Sequence, residues 1–250
     1  MKQEWRLIIE NEPISAYENM AIDTALQSHC DQPVLRFYTW KPASVSIGRF
    51  QNLYDEVNIN YCKENNIDIV RRITGGGAVF HDQELTYSLC INEDNIYFSK
   101  DLHESYKSIC EAIIKGLSLL GMDAKYVPIN DLIVNGKKIS GCAQTRKNNV
   151  ILQHGTLLIK VDVDKMFKIL NVSNEKIKDK LISDVKQRVT SIENETGKKF
   201  QINDIIKAMT EGFKLQFKCD FLNSKLTQDE INTMYENKVI FESNKWNHER

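Results

Sequence analysis

Three adjacent glycines interrupt the segment Arg71-Arg72-Ile73-Thr74-Gly75-Gly76-Gly77-Ala78-Val79-Phe80-His81-Asp82, and such a run makes a poor helix and a poor strand. Each glycine weakens an element by roughly 0.5–1 kcal/mol relative to alanine, so a triple between two arginines and a strand-like apolar run calls for a cause. Close approach of a ligand to the backbone supplies one. Without side chains at Gly75, Gly76 and Gly77, amide N–H groups can line up on an anion while Arg71 and Arg72 add charge and forked donors. A phosphate or a carboxylate fits that description. The run is not a P-loop, since no Gly-Lys-Ser/Thr follows, and not a dinucleotide fingerprint, since the Gly-x-Gly-x-x-Gly spacing is missing. The competing reading is a bend joining two strands, with the arginines solvated.

The second informative stretch is a hairpin. Leu132-Ile133-Val134, then Asn135-Gly136, then Lys137-Lys138-Ile139-Ser140-Gly141 places the residue pair that favours a type I′ turn between two strands. Alternation puts Lys138 on the face of Ser140 and opposite to Lys137 and Ile139, so one lysine of the two points at the surface that carries a site. A third strand over residues 150–159 contains His154-Gly155-Thr156. A lone strand histidine is often structural, but the adjoining glycine again permits close backbone approach.

Around these stretches the pattern alternates strands and helices. Strands are expected over residues 5–9, 34–38, 44–48, 67–70 and 85–89, and a helix over 15–28 opens with Ser15 and Glu18 at capping-box spacing. Asn19 and Asp23 in that helix either face a site or, as the ordinary reading has it, solvent. Apolar residues at helical spacing mark 102–120, where Gly121 is a plausible terminator and Tyr106 and Cys110 are read as packing. Further helices are expected over 58–65, 162–170, 175–182 and 203–217, with a capping box at Thr227 and Glu230.

Composition excludes several classes. At 250 residues with 42% hydrophobic content the chain can bury a sizeable core. A formal net charge of -1 gives no overall bias toward nucleic acid or membrane. The charged N-terminus lacks an apolar h-region, no run is long enough to span a bilayer, and the six scattered cysteines form no metal-ligand spacing. A soluble cytoplasmic protein with reduced thiols is expected.

Taken together, the arginine-glycine stretch, the Asn130-Asp131-Leu132 to Gly141 hairpin and His154-Gly155-Thr156-Leu157-Leu158 resemble the lipoate-protein ligase family, which is related to the biotin protein ligases and octanoyltransferases. The likeness extends from Ile47-Gly48-Arg49 to Val185-Lys186-Gln187-Arg188-Val189-Thr190 and a terminal Lys245-Trp246-Asn247. It implies an α/β (α+β) fold: one catalytic domain over residues 1–250, with a mixed, largely antiparallel sheet flanked by helices. It further implies attachment of lipoate or octanoate to a lysine of a lipoyl carrier domain through an acyl-adenylate made from ATP. In that scheme Lys138 is the catalytic cation. Arg72, Gly75, Gly76, Gly77, Ala78, Val79, Phe80, His81, Asp131 and His154 bind the nucleotide and acyl group, and Asp131 is placed for Mg²⁺. The acceptors implied are glycine cleavage H protein or 2-oxoacid dehydrogenase E2 subunits.

Two departures from the family pattern bear on function. Many such ligases carry a small C-terminal domain that is not seen after Trp246-Asn247, so an accessory chain is a candidate partner. Alternatively the chain is an octanoyltransferase that moves the acyl group from a carrier protein through a cysteine thioester. Cys142 is then the candidate nucleophile, although that branch carries its cysteine before the hairpin, where residues 123–130 have none. The ligase is the expected reading, and a lipoate-binding protein without enzymatic activity is a third. Lys176, Lys178, Lys180 and Lys186 form a basic segment suited to an acidic carrier.

Overall fold

Alternating residues along the central strands are apolar on both faces, which requires a sheet covered on both sides. The computed structural model describes residues 3–96, 99–171 and 175–249, without the side chains of 175–180. In chain order the elements begin β1 (Glu4–Ile9), α1 (Ala16–Ser28), β2 (Val34–Tyr38), β3 (Ser44–Ile47), α2 (Leu53–Glu56), α3 (Ile59–Glu64) and β4 (Asp68–Arg71). They continue β5 (Val79–His81), β6 (Glu84–Asn92), α4 (Leu102–Leu119), β7 (Ala124–Val127), β8 (Asp131–Val134), β9 (Lys137–Lys147) and β10 (Val150–Leu158). The chain ends α5 (Val163–Ile169), α6 (Glu175–Arg188), α7 (Ile192–Thr196), α8 (Ile202–Phe217), β11 (Asp220–Asn223), α9 (Gln228–Glu242) and α10 (Asn244–Asn247).

An eight-stranded sheet runs β11-β1-β2-β6-β10-β9-β8-β7, and a three-stranded sheet runs β4-β3-β5. In the large sheet β1 pairs in parallel with β11 and β2, and every other pairing is antiparallel, so the sheet is mixed and largely antiparallel as expected. On one face Leu35, Phe37, Leu89 and Ile151 pack against Ile109, Ile113 and Leu117 of α4 and Ile205, Met209 and Phe213 of α8. On the other face Val34, Tyr38, Cys90 and Leu152 meet Met20, Ala21 and Ala25 of α1, with Met234 and Phe241 of α9. Helices α4 and α8 touch backbone to backbone, since a Cβ on Gly212 would collide with the Ala112 carbonyl oxygen and stand 2.5 Å from the Gly116 nitrogen. Side chains of the small sheet, including Val45 and Ile47, form a third cluster with Leu53, Cys62 and Ile169.

Local signals set the element ends. Ser15 accepts from the Glu18 amide at 3.3 Å, and Thr227 and Glu230 form a reciprocal capping box. Asn135 and Gly136 take positive φ values of 51° and 78°, as a type I′ turn demands. One expectation is corrected inside this hairpin. Leu132 pairs with Ser140 but Ile133 pairs with Lys138, which leaves Ile139 without a partner on β8. That bulge shifts the pleat by one residue. Lys138 therefore does not share a face with Ser140. Its Cε and Nζ instead lie 2.9 Å from where a Cβ on Gly141 would stand.

Candidate active site

The glycine segment leaves the small sheet at Arg71, crosses over the large one and returns as β5. Its course is dictated by two arginines with different tasks. Arg71 is fully buried and donates to the carbonyl oxygens of Gly48, Arg49 and Gln51, and to those of Trp246 and Asn247 in the C-terminal helix. The Asn247 side chain accepts from the Arg71 amide at 2.7 Å in return. The terminal Trp246-Asn247 pair is thus a clasp on the strand that carries the loop.

Arg72 corrects the sequence reading, which gave its guanidinium to a phosphate. Its Nε donates to Thr74 Oγ1 (3.1 Å), its Nη1 to Ser46 O and Oγ (3.1 and 3.2 Å), and its Nη2 to the carbonyls of Gly75 and Gly77 (2.7 and 2.8 Å). A guanidinium has five N–H donors, and these bonds use all of them. Arg72 is therefore the scaffold of the loop. No carboxylate pairs with it among the described residues, and burial pulls its pKa down to about 10, so its charge still biases the site toward anionic or electron-rich groups.

The glycines likewise divide by role. A Cβ on Gly48 would collide with the Gly76 carbonyl oxygen, so this crossing needs glycine at Gly48. Gly76 has φ +95°, and a Cβ there would lie 2.8 Å from Arg72 Nη2. Gly75 and Gly77 would meet nothing within 4 Å, so their bareness is not a packing requirement and leaves room for a ligand.

A cavity of about 290 Å³ opens beside the loop, near the lower end of the roughly 300–1,000 Å³ usual for small-molecule sites. It is bordered by Arg72, Gly76, Gly77, Ala78, Val79, Phe80 and His81 from the loop and β5, by Lys138 and Cys142 from β9, and by His154 from β10. Gly75 and Asp131 do not border it. Its apolar wall comes from Met20, Tyr38, Trp40, Leu158, Met166, Leu170 and Val189, none of which the sequence had marked as lining a site.

Lys138 Nζ sits 2.6 Å from Asp131 Oδ1 as an ion pair without hydrogen-bond geometry, and both side chains are partly exposed. With its carboxylate facing the lysine, Asp131 is no preformed magnesium cradle. No group of three His, Cys, Asp or Glu side chains is placed to hold a metal ion among the described residues. Cys142 borders the cavity, but its thiol is turned to the opposite face of the sheet. Its Sγ donates to the Asn130 carbonyl at 3.3 Å and lies 3.7 Å from Cys110 Sγ of α4.

Beneath the loop lies a buried polar network, and of the two readings the sequence left open for Asn19 and Asp23 it rules out the ordinary one, a solvated helix face. Asn19 and Asp23 of α1 are 0% and 1% exposed. Asp23 accepts from Arg36 Nη1 (3.0 Å), Ser88 Oγ (2.7 Å) and Tyr38 Oη (2.9 Å), and its Oδ2 lies 3.2 Å from His154 Nδ1. Burial alone would raise the Asp23 carboxyl, but His154, Arg36 and Ser88 outweigh it and hold it below its ordinary value. Burial lowers His154 against the pull of Asp23. His81 is also internal, between Ser46 Oγ (2.8 Å) and Glu84 Oε1 (2.7 Å), with its ring stacked on Trp40. Of the basic segment, Lys186 pairs with Asp164 at 2.7 Å, while the side chains of Lys176, Lys178 and Lys180 lie outside the described residues.

Bare glycines, one lysine and an apolar wall meet at a single cavity, which presents a polar edge beside an apolar interior. The model of the lipoyl protein ligase A/B catalytic domain matches residues 15–214, and the chain belongs to that family. A Clostridioides difficile protein named octanoyltransferase LipM is 38% identical, with 97% of this chain and 98% of that protein covered. The protein of the same name from Brevibacillus brevis is 35% identical, with 92% of each covered. Among solved structures, the bi-partite lipoate protein ligase of Thermoplasma acidophilum, described with its E2 lipoyl domain, superposes with a TM-score of 0.91 at 30% identity over 98% of this chain and 96% of that one. A lipoate-protein ligase A bound with ATP superposes at 0.84 with 27% identity, covering 99% of both chains. The expectation of an ATP-dependent, adenylate-forming ligase is corrected by the full-length relatives, which are named as octanoyltransferases. No helix among the described residues is long and apolar enough to cross a membrane.

Proposed function

We propose that the protein is an acyltransferase of the octanoyl class, moving a medium-length acyl group from a carrier-protein thioester onto a lysine of a lipoyl carrier domain. The observation that carries this reading is full-length similarity to octanoyltransferases, joined to a cavity with an apolar wall and one lysine at its edge. Burying the chain contributes about 0.8 kcal/mol per CH₂, which suffices to seat an acyl group without a charged partner.

The thiol geometry favours direct transfer. A thioester is already activated, so an amine attacks its carbonyl given positioning and charge stabilisation, without a protein nucleophile. The acceptor lysine's nitrogen bonds to the carbonyl carbon, the carbon–sulfur bond breaks, and the leaving thiolate takes the proton the amine loses. Lys138 is the cation placed to stabilise the oxygen that gains charge, exchanging its contact with Asp131 for that oxygen. Cys142, aimed at α4, acts as packing.

The test mixes the protein with an octanoyl carrier-protein thioester and an unmodified lipoyl domain, without ATP, and reads the intact mass of the acceptor. Octanoylation of the acceptor is expected, with no acyl adduct on the enzyme. Modification only with free octanoate and ATP, accompanied by pyrophosphate, would overturn the reading. An acyl group trapped on Cys142 would replace direct transfer by a covalent route.

A further inference from the structure

The buried network and the glycine loop are joined through one hydroxyl. Thr74, fully buried, accepts from Arg72 Nε at 3.1 Å and lies 2.7 Å from His154 Nε2. Asp23 is held ionised and can only accept, so the proton of the neutral His154 ring sits on Nδ1, directed at Asp23 Oδ2 at 3.2 Å. Nε2 is the unprotonated nitrogen, and the Thr74 hydroxyl donates to it while accepting from Arg72. Asp23 is itself fixed by Arg36, Tyr38 and Ser88. A single directed chain runs from helix α1 through β10 to the guanidinium that captures the carbonyls of Gly75 and Gly77.

From this we infer that Asp23 and His154 are positioning residues for the glycine loop, acting through Thr74 and Arg72. The relay keeps Arg72 oriented, Arg72 holds two loop carbonyls away from the cavity, and the bare side of Gly77 is left to face the acyl head group. Reversing any link strands a buried donor or acceptor, which is costly in a dry interior. The inference concerns the loop itself and does not depend on which acyl donor the site takes.

Limited trypsin digestion of the intact protein reads the relay directly, because cutting between Arg72 and Ile73 requires the Arg72 guanidinium to leave its five partners. Cleavage after Lys147, exposed at the turn between β9 and β10, is the internal reference. Thr74→Val keeps the shape but removes the hydroxyl. It should speed appearance of the fragment beginning at Ile73 by about tenfold relative to the Lys147 cut, the size expected for losing one buried hydrogen-bond partner. Thr74→Ser should restore resistance, and Asp23→Asn, three links away, should accelerate the same cut. A second measurement uses activity, where Thr74→Val should raise KM for the acyl donor more than it lowers kcat. An unchanged cleavage ratio in both Thr74→Val and Asp23→Asn would overturn the relay. So would equal acceleration at Lys147, which means general loosening. Neither outcome touches the assignment of octanoyl transfer, which stands or falls on the acceptor's mass.

Discussion

Strands β2, β6 and β10 carry two different surfaces back to back. Toward α4 and α8 they present Leu35, Phe37, Tyr87, Leu89 and Ile151, an almost wholly apolar layer. Toward α1, between the apolar residues, they present Arg36, Ser88 and His154, which close on Asn19 and Asp23. The first face gains stability from area and can be described by volume. The second holds polar groups that stabilise only when every partner is present, and it lies beneath the loop and cavity. One sheet thus separates the part of the molecule that folds by packing from the part that fixes a site by direction.

The sharpest way to break this contrast is to cut each face once. Arg36→Met leaves Asp23 without its guanidinium in a dry setting, and removing one partner of a buried ion pair costs roughly 3–5 kcal/mol. Phe213→Ala on the other face removes a ring packed against Phe37, Tyr87 and Phe217, with an expected cost of about 3–4 kcal/mol from the cavity it leaves. Denaturant titration gives both values. The contrast lies in rescue: a slightly smaller apolar residue at Phe213, such as leucine, should recover most of the loss, whereas lysine at Arg36, without the planar fork, should recover little.

Next in size is Lys138→Ala, which should lower transfer by on the order of 10²–10³ with small effect on folding, since the side chain is partly exposed. Lys137→Ala, at an exposed position outside the cavity wall, should be nearly silent. Comparable losses in both variants would mean that cavity placement does not select the active lysine.

These faces were unequally legible in the sequence. Ser15, Thr227 with Glu230, and Asn135-Gly136 announce their turns and caps because each acts within four residues of itself. Strands β7 and β11 were missed because they are four-residue edge strands, each too short for a pattern of alternation to identify it, and their pairing with β8 and β1 is set by tertiary packing. The choice between a site and solvent for Asp23 and Asn19 could not be made locally because their partners come from β2, β6 and β10, far away in the chain. Arg72 was taken for a phosphate clamp because nothing local shows that its own loop consumes its donors. The bulge at Ile139 breaks a simple alternation, and no residue there signals it.

Acid should weaken the polar face in two stages, an effect smaller than either cut. Asp23, Arg72 and His81 face His154, and Arg36 and Tyr38 hold its partner Asp23; the folded pKa of His154 is lowered, chiefly by burial. The unfolded chain takes that proton near pH 6.5 while the folded one refuses it until lower pH. The unfolded state binds more protons in that window, so stability falls as pH drops below about 6.5. Asp23, also lowered, adds a second loss below about pH 4, where the unfolded carboxylate protonates first. Thermal melts across pH should show the first stage flattened in His154→Gln. A first stage that survives this substitution would assign it to another group.

The smallest effect belongs to Cys142, and it sharpens the comparison because β9 places Lys138 and this thiol on opposite faces. Cys142 is 7% exposed within the apolar cluster of α4 and α8, and its Sγ already donates to the Asn130 carbonyl. A serine there keeps a donor for the same carbonyl and loses only some volume beside Cys110, so Cys142→Ser should cost under about 1 kcal/mol. Transfer should persist at close to the parent rate, because direct attack on a thioester asks nothing of this side chain. The opposite result is equally specific. A serine hydroxyl without an activating base is a poor acyl acceptor compared with a thiolate. Loss of transfer in a stable Cys142→Ser protein would therefore show that the thiol swings from the packed face into the cavity during turnover, and that the two faces of β9 exchange roles in catalysis.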